Sequence, residues 1–173
     1  RRRTGRVHGP EASRQLMPLK VEKAAVVGGG IMGSGIAALF ANQGIPVTMF
    51  DVNVDAARKS LEKLASAKKI PQLTSPRNAR FITAASVDQY AELLGDADAI
   101  VEVVPEILSL KQKVFAAVDE HRKKGSIVAT NTSGLSIAKM CEGRSDDFRA
   151  HFLGTHYFYP VRYMALVELI AGP

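Results

Sequence analysis

Apolar and polar residues alternate along this chain in blocks that predict a regular succession of strands and helices. Short, almost continuously apolar runs are typical of strands buried on both faces, whereas apolar residues spaced three and four apart are typical of helices packed against them. The predicted strands and extended segments are 23–27, 46–50, 81–83, 98–104, 126–130, 151–156 and 163–170. The predicted helices are 31–43, 54–65, 87–94, 108–121 and 136–141. A helix therefore follows each of the first five strands.

This alternation favours an α/β fold of the Rossmann type, a doubly wound, mostly parallel sheet with flanking helices. Parallel strands need a crossover between them, and a helix supplies it. The length of 173 residues suffices for one domain with a hydrophobic core and is short for two. We therefore assign residues 17–173 to a single domain, in which residues 68–80 form the one long insertion.

The first sixteen residues differ from the rest in composition, because they hold five arginines and one glutamate. They account for four of the six net positive charges, so the remaining chain carries only two. We leave residues 1–16 unassigned: a basic leader, a linker or an expression remnant fits them as well as a binding arm, and Met17 could be a native start. No nucleic-acid partner is expected, since the chain has no recognised nucleic-acid motif.

Two further observations bear on the environment of the protein. No apolar run is long enough to cross a bilayer, so no membrane span is expected. Cys141 is the single cysteine, which excludes an internal disulfide and a cysteine-cluster zinc site, and we expect it to be a small buried residue. We expect no metal site and a reducing, cytoplasmic location, with the mitochondrial matrix or the peroxisome as alternatives in a eukaryote.

A glycine-rich turn joins the first predicted strand to the first predicted helix. Its residues are Gly28, Gly29, Gly30, Ile31, Met32 and Gly33. Gly28 allows a tight turn, Gly30 lets the backbone approach a pyrophosphate, and Gly33 lets the helix press against the strand. The helix N-terminus then offers N–H groups to the phosphates. Glycines also mark ordinary loops, but a strand, turn, helix and second strand in this order predict a dinucleotide site.

Asp51 ends the second predicted strand, where dinucleotide-binding folds carry an acidic residue. A carboxylate at this position can accept hydrogen bonds from the adenosine ribose and would repel a 2′-phosphate. The sequence therefore favours NAD over NADP as the cofactor.

A second group of polar residues lies at the carboxyl ends of later strands, where ligands of open α/β sheets bind. His156 ends the sixth extended segment, and a hairpin-like return would bring Glu168 beside it. A carboxylate hydrogen-bonded to one imidazole nitrogen raises the basicity of the other, which can then take a proton from an alcohol. Beside a nicotinamide, this pair would support alcohol oxidation, and the alternative is a structural histidine.

Ser133 follows the fifth predicted strand in the motif Asn131-Thr132-Ser133. Its hydroxyl could hydrogen-bond the oxygen of a substrate at this edge of the sheet. It could also cap the following helix, as could Asn131 or Thr132, and the two roles are compatible.

Taken in order, these motifs resemble the 3-hydroxyacyl-CoA dehydrogenases of fatty-acid β-oxidation, including the dehydrogenase parts of multifunctional enzymes. The resemblance covers roughly residue 21 to the end and rests on the glycine turn with Asp51, on 101–106 with Lys111, on 131–133 and on 154–168. It implies oxidation of (S)-3-hydroxyacyl-CoA by NAD to 3-oxoacyl-CoA and NADH.

By position, the resemblance also implies roles for individual residues. His156 would be the catalytic base and Glu168 its carboxylate partner, while Ser133 would contact the substrate oxygen and the nicotinamide. Glu106 and Lys111 would line the cofactor pocket, and the glycine turn would hold the pyrophosphate.

Two departures from the family pattern bear on activity. Tyr159 stands where family members commonly have an asparagine near the nicotinamide. The chain stops at Pro173, where the family continues into a helical domain that completes the acyl-CoA cleft and forms the homodimer. We therefore expect this chain to be the cofactor half alone, without that helical domain. Such a half would bind NAD but turn over poorly, because its site is open to water.

Lys68 is a candidate contact for the phosphates of coenzyme A, as residues in the corresponding region of the family are. A lysine at a helix end also complements the helix dipole and faces water, so a surface role is the alternative. Two other functions stay open for the chain. One is a β-hydroxyacid dehydrogenase of another type, which shares a glycine turn followed by methionine but uses a catalytic lysine, and the other is a crystallin-like structural relative.

Overall fold

The computed structural model describes residues 20–173, in which seven strands form one sheet. The strands are β1 (Ala24–Val27), β2 (Val47–Asp51), β3 (Ile82–Ser86), β4 (Ala99–Glu102), β5 (Ile127–Thr130), β6 (Phe152–Tyr157) and β7 (Val167–Ala171). Their order across the sheet is β3-β2-β1-β4-β5-β6-β7, and only the β6–β7 pair within this range is antiparallel. This topology confirms the predicted Rossmann-type, mostly parallel sheet. The unassigned segment 1–16 lies outside the described residues, as does Met17.

Helices cover both faces of the sheet. In the described part of the chain they are α1 (Ile31–Asn42), α2 (Val54–Ser66), α3 (Tyr90–Leu93), α4 (Leu108–His121), α5 (Ile137–Met140) and α6 (Asp146–Ala150). Buried side chains of α1 and α2 belong to one hydrophobic cluster, and those of α4, α5 and α6 belong to another. The sheet is therefore doubly wound, as its strand order requires.

The central strand β1 shows why its sequence is continuously apolar. Ala24 and Val26 pack in the cluster on the α1 face, whereas Ala25 and Val27 pack in the cluster on the α4 face. All four side chains are buried. A strand covered on both sides cannot alternate between apolar and polar residues, so its burial gives a short apolar run.

Local capping explains where several helices begin. The Asn53 side chain accepts a hydrogen bond from the Ala56 N–H at 3.0 Å, which starts α2 at the residue expected from the sequence. Ser136 caps α5 in the same way through the Lys139 N–H. The bounds of α1, α2 and α4 agree with their predicted ranges to within one residue.

The structure differs from the predicted ranges at several places, and the predicted helix 87–94 is a 3₁₀ turn, Val87–Gln89, followed by the short α3. A 3₁₀ helix, Pro76–Phe81, occupies the end of the 68–80 insertion, so β3 starts at Ile82 and extends to Ser86. The sequence analysis missed α6, although Ser145 caps it through the Phe148 N–H at 3.1 Å. The last strand begins at Val167 rather than at residue 163, because residues 160–164 form a turn.

The expectations about a membrane span, a metal site and Cys141 can be compared with the structure over residues 20–173. Over this range no helix is both long enough and apolar enough to cross a bilayer. In the same residues, no group of three or more His, Cys, Asp or Glu side chains is placed to hold a metal ion. Cys141 is buried, as predicted, and burial raises the pKa of its thiol to about 11.

Candidate active site

A cleft of about 740 Å³ opens beyond the carboxyl ends of β1, β2 and β4. The strand order changes direction here, since the chain leaves the edge strand β3 and re-enters the sheet as β4 beside β1. Ligands of open α/β sheets bind at such a switch point. The walls of this main cleft include the glycine turn, Asp51, Glu106, Asn131 and a set of apolar side chains.

The glycines of the turn bring three chain segments into close contact. Gly28 has φ of 114°, and a Cβ atom on it would lie 2.8 Å from the carbonyl oxygen of Val103. Its N–H donates to the Phe50 carbonyl at 2.8 Å. A Cβ on Gly33 would collide with the Gly28 carbonyl oxygen, so only glycine lets α1 lie this close to the turn.

Gly30 differs from its neighbours because it faces open space. A Cβ built on Gly30 meets no described atom within 4 Å, so a side chain there would occupy the cleft instead of colliding with the protein. Gly30 is also the N-cap of α1 and has no side chain with which to cap the first turn. The N–H groups and the positive end of the helix dipole therefore suit an anion such as a pyrophosphate. Ile31 and Met32 line the cleft beside it.

The Asp51 carboxylate is fixed on the wall of the main cleft by two backbone groups. Its Oδ2 atom accepts from the Gly29 N–H at 2.7 Å, and its Oδ1 atom accepts from the Asn53 N–H at 2.9 Å. Gly29 thus holds the carboxylate from behind and is not itself part of the cleft lining. Each oxygen keeps further lone pairs for ribose hydroxyls.

Glu102 and Lys111 form a buried ion pair beneath the cleft. Their side chains are 0% and 1% exposed, and Lys111 Nζ lies 2.7 Å from Glu102 Oε1. Glu102 also accepts from the Val104 N–H at 2.7 Å and from the Thr130 hydroxyl at 2.6 Å. Lys111 therefore does not line the cleft, although the resemblance assigned it to the cofactor pocket. The sequence analysis gave Glu102 no role, and a charged residue inside an apolar strand was the signal for its burial.

Glu106 organises the loop after β5 from across the cleft. Its Oε1 atom accepts from the Thr132 hydroxyl, from the Ser133 N–H at 2.9 Å and from the Gly134 N–H at 3.1 Å. Its Oε2 atom lies 3.4 Å from Lys111 Nζ. Burial by itself would raise the pKa of Glu106, but these hydrogen bonds and the lysine charge hold it down to about 2. The carboxylate is therefore ionised and fixed.

Ser133, His156 and Glu168 form a hydrogen-bonded line beside the main cleft. The antiparallel register of β6 and β7 places His156 opposite Glu168, as the predicted hairpin-like return requires. The distance from His156 Nδ1 to Glu168 Oε2 is 2.7 Å, and that from His156 Nε2 to Ser133 Oγ is 3.1 Å. The histidine side chain is 17% exposed and the glutamate side chain 52%.

The His156 ring tautomer follows from this geometry. A carboxylate at Nδ1 favours a proton on that nitrogen, which leaves Nε2 as an acceptor. The Ser133 hydroxyl can then donate to Nε2, as the hydroxyl of an alcohol substrate would. This arrangement can accept a proton from an alcohol held at the same place.

Lys68, the predicted contact for coenzyme A, and Tyr159, the departure from the family pattern, also lie outside the lining of the main cleft. Lys68 lies in the exposed stretch just after α2, and Tyr159 is an exposed residue after β6. Neither contributes to the cleft lining. Asn131 does contribute, and its side-chain oxygen accepts from the Tyr157 N–H at 2.8 Å, which ties the end of β5 to the end of β6.

The fold and the cleft define a dinucleotide-binding domain of the Rossmann type. The family model described as "3-hydroxyacyl-CoA dehydrogenase, NAD binding domain" matches residues 23–173. The chain therefore belongs to this family, and its cofactor is NAD. The open position at Gly30, the free N-terminus of α1 and the held Asp51 carboxylate fit the pyrophosphate and the ribose of that cofactor.

Individual relatives support the same assignment. The chain is 49% identical over 171 residues to a probable 3-hydroxyacyl-CoA dehydrogenase of Bacillus subtilis strain 168, covering 87% of this chain and 22% of the relative. The structure of a 3-hydroxybutyryl-CoA dehydrogenase from Escherichia coli K12 is similar with a TM-score of 0.76 at 28% identity, covering 87% of this chain and 32% of that one.

A third comparison extends this similarity to another bacterium. The structure of the (S)-3-hydroxybutyryl-CoA dehydrogenase from Ralstonia eutropha has a TM-score of 0.72 at 33% identity, covering 88% of this chain and 55% of that one. The chain thus spans between about a fifth and about half of the lengths of these three relatives.

Proposed function

We propose that residues 17–173 form the cofactor half of an (S)-3-hydroxyacyl-CoA dehydrogenase, which oxidises the 3-hydroxyl group of an acyl-CoA to a ketone. The observation that carries this proposal is the line from Ser133 Oγ through His156 to Glu168 beside the main cleft. In this line His156 would serve as a proton acceptor beside the site that fits NAD, which supports the proposal. Two relatives with solved structures are 3-hydroxybutyryl-CoA dehydrogenases, which supports a hydroxyacyl thioester as substrate.

In the proposed reaction, His156 Nε2 takes the proton of the 3-hydroxyl group. The chemistry that NAD supplies when bound is the acceptance of the hydride from C3, which leaves the 3-oxo product, NADH and a proton on the histidine. Glu168 keeps Nδ1 protonated and stabilises the imidazolium charge. Ser133 orients the substrate oxygen toward Nε2, and the ionised Glu106 holds the loop that carries Ser133.

The remaining parts of the proposal follow the resemblance. The acyl-CoA cleft and the contacts of a homodimer would lie in sequence beyond this chain, and Lys68 would contact the coenzyme A phosphates. The family match favours this enzyme over a β-hydroxyacid dehydrogenase of another type. A crystallin-like structural role is the alternative. A turnover measurement distinguishes the two, because a structural protein would form no NADH.

The test is a single-turnover assay with (S)-3-hydroxybutyryl-CoA and NAD, in which the chain is in excess over the substrate. The absorbance of NADH is the readout. We expect slow NADH formation that falls by roughly 10²–10⁴-fold in His156→Gln, because a general base contributes about that factor. His151→Gln is the matched control, since His151 lies at the end of α6 and contacts the Asp147 carbonyl. Equal turnover in His156→Gln and the unaltered chain would overturn the assignment of the base.

A further inference from the structure

The side-chain amide of Asn131 is bound at its oxygen and free at its nitrogen. Its Oδ1 atom accepts from the Tyr157 N–H at 2.8 Å, and the backbone N–H of Asn131 donates to the Glu102 carbonyl at 2.9 Å. Because a backbone N–H can only donate, the atom that faces Tyr157 is the side-chain oxygen, and this fixes which end of the amide carries the two N–H groups. In the described part of the chain, those two N–H groups have no acceptor.

The amide nitrogen of Asn131 is open to solvent. The buried polar side-chain atoms that lack a partner in residues 20–173 belong to Tyr90, Arg122 and Thr155. Asn131 is half-buried and lines the main cleft. Its two N–H groups therefore have the main cleft as the space in which an acceptor can meet them.

Asn131 supplies this cleft with a side-chain N–H donor. The other polar side chains in the lining are Asp51, Glu106 and Tyr90. A carboxylate accepts hydrogen bonds, and the Tyr90 hydroxyl is closed off in the protein interior. Asn131 is therefore the described lining residue whose side chain can donate to a ligand, and the ligand group that it suits is an acceptor.

The order of the strands indicates which part of a dinucleotide lies beside Asn131. Asp51 ends β2 and fits the adenosine ribose, and the glycine turn follows β1 and fits the pyrophosphate. The strands β4 and β5 come next across the sheet, and Asn131 is the first residue after β5. A dinucleotide that runs in this direction places its second nucleotide beyond the ends of β4 and β5. This nucleotide then lies toward Ser133 and His156, which belong to the proposed catalytic line.

We propose that the side-chain amide of Asn131 donates a hydrogen bond to an oxygen atom of the nicotinamide nucleotide, either a ribose hydroxyl or the carboxamide oxygen. Both are uncharged acceptors, and the probes below distinguish them. The inference rests on the proposed function, because that function requires the nicotinamide beside Ser133 and His156. The same amide links the cofactor to the backbone next to His156, since its oxygen binds the Tyr157 N–H.

Two variants remove the N–H donor in different ways. Asn131→Asp keeps an oxygen for the Tyr157 N–H but adds a negative charge, whereas Asn131→Leu adds no charge but loses the contact with Tyr157. An effect that both variants share is therefore due to the lost donor. The probes for calorimetric titration are NAD, ADP-ribose, which lacks the nicotinamide base, and ADP, which lacks the whole nicotinamide nucleotide.

We expect both variants to weaken the binding of NAD relative to that of ADP by roughly three- to tenfold, which is the net effect of one neutral hydrogen bond. If the affinity for ADP-ribose falls together with that for NAD, the acceptor is a ribose hydroxyl. If the affinity for ADP-ribose changes only as that for ADP does, the acceptor is the carboxamide oxygen. An equal loss for ADP and NAD, or a loss confined to one variant, would overturn the inference and leave the proposed function standing.

Asn42→Asp is the matched control, because it makes the same chemical change at the last residue of α1, outside the lining of the main cleft. The Asn42 nitrogen donates to the Gln72 carbonyl at 2.9 Å, and the Asn42 oxygen accepts from the Thr74 N–H at 2.8 Å. This variant should lower the melting temperature of the free chain and leave all three affinities unchanged. A loss of NAD affinity as large as that in Asn131→Asp would overturn the inference, since the effect would then not be local to the cleft. Failure of the unaltered chain to bind NAD would overturn the proposed function as well.

Discussion

Among single residues, Glu106 shows how one carboxylate can position a hydroxyl group without contacting it, because it binds the backbone of Ser133 and not the Ser133 hydroxyl. It binds the backbone of Ser133 and Gly134 and the side chain of Thr132, so the loop after β5 is held against the wall of the main cleft. All three donate to the same oxygen, Oε1, and hydrogen bonds to an ionised carboxylate are stronger than those to a neutral acid. The charge of Glu106 therefore strengthens the hold on the loop that carries Ser133.

This dependence predicts a pH effect on stability. The pKa of Glu106 is about 2, below the ordinary value of 4.5, so its ionised form stabilises the folded chain above pH 4.5 and this contribution is lost as the pH falls toward 2. The difference in unfolding free energy between the unaltered chain and Glu106→Gln should therefore shrink through that window. Urea unfolding over that pH range measures it, with Glu92→Gln on the exposed side of α3 as control. A difference that is constant with pH would contradict the prediction.

The second residue-scale prediction concerns Asp51. Asp51→Ala should weaken NAD binding by roughly ten- to a hundredfold, because hydrogen bonds from the ribose hydroxyls to a charged acceptor are lost, and should reduce the preference for NAD over NADP. Calorimetric titration with both nucleotides measures the change. Asp55→Ala is the control, since Asp55 is an exposed residue at the start of α2 that pairs with Arg58. Unchanged NAD affinity in Asp51→Ala would remove the ribose contact from the proposal.

Among the secondary-structure elements, α1 has two glycines near its start that serve different purposes. Gly33 must be glycine because the helix contacts the turn at the Gly28 carbonyl oxygen. A Cβ atom on Gly30 would meet no described atom of the protein within 4 Å, so the fold does not need a glycine there. A glycine is needed at this position only if a ligand lies against the backbone. The two positions therefore separate the packing of the helix from the binding of the cofactor.

Alanine substitutions test this separation. Gly33→Ala should lower the free energy of unfolding by about 1–3 kcal/mol, because the added methyl group overlaps the backbone. Gly30→Ala should change it by less than about 1 kcal/mol, since its φ of −70° is open to alanine, yet it should weaken NAD binding more than about tenfold. Urea unfolding and calorimetric titration give the two quantities. Normal NAD affinity in Gly30→Ala would show that the cofactor does not pass over this turn.

At the scale of the whole molecule, the proposed catalytic line lies at the open side of the sheet. Glu168 is on β7, whose residues are all exposed in the described structure. Water around the carboxylate screens its charge, and nothing in residues 20–173 encloses an acyl chain beside His156. Positioning and exclusion of water together supply several powers of ten in rate in other enzymes.

The chain by itself should therefore bind NAD but turn over (S)-3-hydroxybutyryl-CoA at least about a hundredfold more slowly than a complete 3-hydroxybutyryl-CoA dehydrogenase. Steady-state kcat/KM from NADH absorbance, measured for both proteins in one buffer, checks this expectation. Equal catalytic efficiency would mean that this domain alone encloses its substrate well enough.

Much of the fold was predictable because it depends on local pattern. The bounds of α1, α2 and α4 follow from apolar spacing and from caps such as Asn53, all of which act within a few residues. The juxtaposition of His156 and Glu168 was also predictable, since one turn joins their strands. The short α6 was missed because a helix of five residues has too few positions to show a period, even though Ser145 caps it.

The alternation of strands and helices, the glycine turn and the acidic end of β2 were all visible in the sequence, because each depends on neighbours along the chain. The folded structure was needed to show that Lys111 is buried against Glu102, that Glu106 binds the loop after β5, and that the Tyr90 hydroxyl has no described partner. These contacts join residues on different elements. Their energies depend on burial and on distances of about 3 Å, and such distances are set only when the sheet and its helices have packed together.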